Sequence, residues 1–138
     1  MMMNPAQKRA QLNREAILSA SPARLLTMLY DRLLLDLSRA EAAQHSTDWA
    51  TASENLVHAQ EIIAELTSSL DTEAWDGASG LQGLYSFATQ TLINANVRRD
   101  PTLTGQVKGL MEPLRLAWHE AAAAPLEATS LSNGVQLG

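Results

Sequence analysis

The 138-residue sequence predicts an all-α fold, an antiparallel up-down four-helix bundle with a short N-terminal arm or extra helix. Three observations predict it. Apolar residues make up 46% of the chain but aromatic ones only 4%, and much of the apolar share is Leu and Ala, which are good helix formers. Four segments repeat their apolar residues at spacings of three and four. Helix-start and turn signals punctuate the intervals between them.

The first segment opens at Ser21-Pro22, where Ser can cap free N–H groups and Pro at the first helical position forfeits no hydrogen bond. It is expected to run to Ala43. Leu26, Leu29, Leu33, Leu37 and Ala40 form its stripe, and Leu25, Met28, Leu34 and Leu35 widen the apolar face beyond a single seam. Such a helix is buried on more than one side.

After the polar break His45-Ser46-Thr47-Asp48, Asp48 should cap a second helix reaching Leu70. Its stripe is Ala52, Leu56, Ala59, Ile63, Leu66 and Leu70, a heptad-like spacing suited to antiparallel packing. Asp76 to Gly80 reads as a turn, followed by a third helix with Leu81, Leu84, Ala88, Leu92 and Ala95 on one face and Tyr85 beside them. Asp100-Pro101 repeats the cap-then-Pro start. The fourth stripe is Leu103, Val107, Leu110, Leu114, Ala117 and Ala121, with Pro113 expected either to kink the helix or to divide it. Residues 1–20 are thus read as an arm, 21–124 as the bundle and 125–138 as a flexible tail.

Composition narrows the functional classes. The absence of Cys removes disulfides, thiolate metal sites and thiol nucleophiles, and fits a reducing, cytoplasmic compartment. A net charge of −5 offers no broad basic field to a phosphate backbone, so no nucleic-acid partner is expected. No run of about 18 uncharged apolar residues suggests membrane insertion.

Catalytic patterns are equally sparse. A carboxylate-bridged metal centre in a bundle needs Glu-x-x-His pairs, whereas Glu54 and His58 are four apart without a second such pair. No nucleophile elbow or Gly-rich phosphate loop occurs, and no cofactor is called for. His58, between Val57 and Ala59, with Gln60 and Glu61 just beyond and no nearby Lys, reads as a partly exposed helix histidine; a phosphotransfer domain is the enzymatic alternative. Glu61 and Glu65 read as solvated, and Trp49, Trp75 and Trp118, all near helix ends, as closures of the bundle. What remains is surplus apolar surface on the first helix, which suits the capture of a helix or peptide. A generic adaptor or oligomerisation module would use the same surface.

Ser21-Pro22-Ala23-Arg24-Leu25-Leu26-Thr27-Met28-Leu29-Tyr30-Asp31 resembles the signature opening of the FliS family of flagellin chaperones. The likeness continues in Ala59 to Leu66, Ser69-Leu70-Asp71, Leu81-Gln82-Gly83-Leu84-Tyr85, Leu92 to Asn96, Asp100, and Leu110 to Trp118. It therefore covers about Ala16 to Glu120. Two departures stand out. The arm Gln11-Leu12-Asn13-Arg14-Glu15 lacks the Tyr that many members carry, and the turn before the third helix reads Gly77-Ala78-Ser79-Gly80 where Gly-Gly-Glu is frequent.

The resemblance implies a cytoplasmic, non-enzymatic bundle that wraps the disordered C-terminal region of flagellin, blocks premature polymerisation and helps deliver the subunit to the type III export gate. An export-gate component is then a second partner, and spare apolar surface permits either a homodimer without cargo or a monomer with its arm folded back. If that reading holds, the candidate flagellin-binding residues are Ile17, Leu18, Leu25, Leu29, Tyr30, Leu56, Ile63, Leu84, Tyr85 and Leu92, each with plain core packing as its alternative, and Asn96, for which helix capping is the alternative. Asp31 and Asp100 also match polar family positions, and for Asp100, followed by Pro101, helix capping is the stronger reading.

Overall fold

The computed structural model describes residues 4–19, 21–71, 73 and 76–124, with the side chains of 13 and 15–19 outside that description. Its elements are α1 (Pro5–Ser19), α2 (Pro22–His45), α3 (Trp49–Ser68), α4 (Ala78–Val97) and α5 (Pro101–Ala123). The starts follow from local chemistry. Ser21 Oγ accepts from the Arg24 N–H at 3.2 Å, Asp48 from Thr51 at 3.2 Å, and Asp100 from Thr102 at 2.9 Å. Hydrogen bonds from Thr51 hold the Asp48 carboxyl below the usual carboxylate range.

The arm contains a start signal of its own. Asn4 Oδ1 accepts from the Gln7 N–H at 2.7 Å while Gln7 Oε1 accepts from the Asn4 N–H at 3.2 Å, a reciprocal box ahead of Pro5. The arm is therefore the extra helix α1. Its described side chains are exposed, Leu12 among them, and the main helix-to-helix packing lies among α2 to α5.

Each of the other four helices packs on two neighbours. Helix α2 contacts α3 and α5, and α4 contacts the same two, so α2 and α4 stand at opposite corners. The core is Leu33, Leu37 and Ala40 of α2, Leu56, Ala59, Ile63 and Leu66 of α3, Leu81, Ala88, Leu92 and Ala95 of α4, and Val107 and Met111 of α5. Three of the four expected stripes are thus core.

The fourth is rotated. Thr104, Val107 and Met111 are buried, with Leu114 and Trp118 packed beside them, whereas Leu110, Ala117 and Ala121 are exposed. Thr104 belongs inside because its hydroxyl donates to buried Gln44 at 2.7 Å, a pairing that apolar periodicity cannot register. Pro113 is exposed and lies within a single continuous α5. Helix α4 starts at Ala78, inside the expected turn, because Ala78 itself is fully buried.

Polar bonds cross the seam near each end. Gln44 Nε2 donates to the Ala95 carbonyl at 3.1 Å, joining α2, α4 and α5 where α2 ends and α5 begins. That end also holds two tight turns with Thr47 and Arg99 in the left-handed region, at φ 56 and 53, and the Arg99 guanidinium lies 5.1 Å from the Trp49 ring. At the other end Tyr30 and Tyr85 share a hydroxyl–hydroxyl bond of 2.5 Å between the diagonal helices, and the Trp118 ring packs 6.4 Å from Tyr30. Trp49 and Trp118 therefore sit at opposite ends of the bundle, and Trp75 lies outside the described residues.

Burial raises the Tyr30 phenol above its ordinary value, and burial followed by the neighbouring Tyr30 hydroxyl raises Tyr85. Folded values above unfolded ones mean that this contribution to stability is complete below about pH 10 and is lost as pH rises further. These are the chain's two tyrosines. Near-ultraviolet titration is therefore expected to show no tyrosinate until helicity is lost above about pH 10. Ordinary phenol ionisation in a fully helical protein would contradict the buried pair.

Candidate functional site: an apolar groove between α2 and α3

Helix α2 carries more large aliphatic side chains than its seams consume. Leu33, Leu34 and Leu37 are buried, and Leu26 and Leu29 pack partly against them. One turn earlier, Leu25, Met28 and Leu29 line a groove of about 420 Å³, with Arg32 and Glu65 of α3 completing its lining. Leu25 is 37% exposed although it is a leucine on a well-packed helix.

The side of α2 that faces α5 has different chemistry. Asp31 there accepts from Arg115 Nη1 at 3.2 Å and His119 Nε2 at 2.6 Å, and Arg115 also donates to Glu112 at 2.8 Å. This pairing holds the Glu112 carboxyl low and the Arg115 guanidinium firmly protonated. Lys108 donates to Glu41 at 3.3 Å farther along the same face. Helix α2 thus presents exposed ion pairs toward α5, and toward α3 an apolar trough flanked by a buried charged cluster.

At the floor of the α2–α3 interface lies Asp36, fully buried. Its Oδ1 accepts from Arg32 Nε at 3.0 Å and its Oδ2 is bonded to His58 Nδ1 of α3. A carboxylate removed from water is costly unless paired, and both of its oxygens are paired here. His58 is 43% exposed on its side chain, as a histidine bridging the interior and solvent would be.

Three other clefts differ in character. An end cleft of about 250 Å³ is bounded by Leu26, Leu66, Leu81 and Trp118, whose buried Nε1 has no hydrogen-bond partner among the described residues. At the opposite end Trp49, Ser53, Asn96 and Arg99 surround a polar recess of about 280 Å³. Small and hydroxylated residues such as Ala64, Ser68, Ser86 and Thr89 line the α3–α4 cleft.

The expected site residues separate into groups. Leu25 and Leu29 come together in the groove. Tyr30, Leu56, Ile63, Tyr85 and Leu92 lie in the bundle's own core, essentially without exposed surface, because each occupies a seam position of its helix. Leu84 is half-buried on α4, away from the groove. Asn96 donates to Ser53 Oγ at 3.1 Å and lines the polar recess. Ile17 and Leu18 fall in α1, with side chains outside the described residues.

Sequence reasoning missed Arg32 and Asp36, and it read Glu65 as solvated, which it is, without its place in the groove lining. The available signal was an acid, Asp36, three residues after Leu33 and four before Ala40 on the apolar face, with Arg32 one turn before it.

Comparison with known proteins supplies the family. Residues 2–125 match the family described as Flagellar protein FliS. The flagellar secretion chaperone FliS of Escherichia coli (strain K12) is 35% identical over 86% of this chain and 90% of its own. That of Bacillus subtilis (strain 168) is 30% identical over 85% and 87% respectively. A crystal structure of a bacterial flagellar chaperone shares the fold, with a TM-score of 0.68 at 16% identity over 83% of this chain and 97% of that one. The chain belongs to the FliS family of flagellar secretion chaperones, a chaperone family and not an enzyme family.

Proposed function

We propose that this chain binds the disordered C-terminal region of flagellin in the cytoplasm, keeps it from polymerising prematurely and hands it to the type III export machinery. The observation that carries the reading is the apolar groove of Leu25, Met28 and Leu29, open beside a core that is already complete. An amphipathic helix laid in that groove would cover its own polymerising stripe and the chaperone's exposed leucine together. Membership of a flagellar secretion chaperone family supports the choice of cargo. Among the described residues no helix is long and apolar enough to cross a membrane.

No chemical step is required. Docking a disordered segment gains apolar contact and loses part of that gain to ordering, which favours a complex that protects and still releases. The export-gate component is the proposed receiver, and a homodimer and a monomer with its arm folded back are the two states open to cargo-free protein.

Calorimetry against a peptide from the C-terminal region of the flagellin encoded in the same genome is the direct test. Equimolar binding with a large negative heat-capacity change is expected. The absence of binding heat, together with failure to co-purify, would overturn the reading.

The groove can be tested separately. Leu25→Asp and Met28→Asp place charges in the groove lining and are expected to weaken binding about tenfold or more with helicity unchanged. Phe87→Asp, at a 55% exposed position on α4, should leave affinity unchanged. Equal losses in all three variants would contradict the assignment of the groove.

A further inference from the structure

Where α2 ends, α3 begins and α4 ends, Gln44, Trp49, Ser53, Asn96, Val97 and Arg99 line the polar recess of about 280 Å³. No acidic side chain is among its lining residues. Gln44 serves the fold there, since its amide is bonded to the Ala95 carbonyl and to Thr104. Asn96 Nδ2 donates to Ser53 Oγ at 3.1 Å, which leaves the Ser53 hydroxyl proton and the second Asn96 N–H for another acceptor.

Arg99 stands where glycine would be the ordinary choice. Its φ is 53, it follows the last turn of α4, and the Asp100 N–H bonds back to the Ala95 carbonyl at 3.0 Å, a helix ending that favours glycine at this position. The side chain placed there lies over the Trp49 ring, 5.1 Å from its centroid. That contact uses the face of the guanidinium. Its in-plane N–H groups make no hydrogen bond or ion pair among the described residues. A stacked cation beside an amide and a hydroxyl, with no carboxylate of its own, has the chemistry that receives a carboxylate from outside. Asp48 and Asp100, next in sequence to Trp49 and Arg99, each accept an N–H at a helix start. Their charges disfavour a doubly charged phosphate more than a single carboxylate.

We infer that this recess binds the terminal α-carboxylate of a peptide chain, with Arg99 as its cation and Asn96 and Ser53 as its neutral donors. A helix about 10–12 Å across with its side chains does not enter a space of this size, whereas a chain end does. The last side chain of the peptide rests on Val97, which is 78% exposed. The inference rests on the reading that the protein binds the C-terminal region of flagellin, and it adds that the free end of that cargo is held. Leu29 in the groove and Gln44 in the recess both belong to α2, fifteen residues and about 22 Å apart. A cargo helix of similar length therefore spans both. Anchoring its last residue sets the register of the part that lies in the groove.

Calorimetry of the full chain compares the flagellin C-terminal peptide as its free acid with the same peptide ending in an amide. The amide exchanges the terminal charge for a neutral group of the same size, and it is expected to bind about tenfold more weakly. Arg99→Gly removes the side chain, and glycine adopts a φ of 53 freely, so helicity is expected to persist. This variant is expected to weaken the free acid at least about fivefold more than it weakens the amide. If Arg99→Gly does not fold, Arg99→Gln decides the same point. Equal affinity for acid and amide would overturn this inference and leave the groove reading intact. Equal weakening of the two peptides by the variant would overturn it as well, because the carboxylate would then be held elsewhere. Failure of both peptides to bind would overturn the cargo reading and this inference with it.

Discussion

The structure depends on the burial of α2 along two seams at once. Leu33, Leu37 and Ala40 are fully buried in a helix that packs on both α3 and α5, and these contacts set the spacing of the other helices. Removing a leucine from such a position opens a cavity that costs about 2–5 kcal/mol, a large share of the stability of one small domain. Helix α2 therefore cannot rotate to hide its remaining apolar residues. Rotation would bury Leu25 and Met28 only by withdrawing Leu33 and Leu37, and the groove persists because the core forbids that exchange.

The same geometry explains where polar groups are tolerated. Near one end the Tyr30 and Tyr85 hydroxyls satisfy each other across the diagonal, and near the other Gln44 serves Ala95 and Thr104. Asp36 is the charged exception, placed at the α2–α3 interface with a cation or imidazole at each oxygen. Leu25, Met28 and Leu29 are each already partly covered, so a cargo helix gains only a fraction of the roughly 1.5–3 kcal/mol that full burial of each would give.

Most of the fold was legible in the sequence because amphipathic period and helix starts are local. Ser21-Pro22, Asp48 and Asp100-Pro101 mark the beginnings of α2, α3 and α5, and the stripes of α2, α3 and α4 form the core. The face of α5 was placed only in part: Leu103, Val107 and Leu114 do pack inward, but Thr104 enters the core through a bond to Gln44, sixty residues distant in sequence, and Met111 follows it on the same side. The site was legible only in part. Leu25 and Leu29 share the groove, but distinguishing them from Tyr30, Leu56 or Ile63 requires knowing which helix stands on which side, and apolar period alone does not contain that. The Asp36 cluster was harder still, since its meaning depends on His58 arriving from another helix.

The central claim is that cargo meets the α2–α3 groove and leaves the core undisturbed. Methyl-resolved nuclear magnetic resonance of the isotope-labelled chain, titrated with the flagellin C-terminal region, addresses it most directly. The account predicts that the Leu25, Met28 and Leu29 methyls shift strongly while those of Leu37, Leu56 and Leu92 stay in place. Shifts concentrated on the exposed Leu110 and Leu116 of α5, or spread through the core with the groove methyls unmoved, would contradict it.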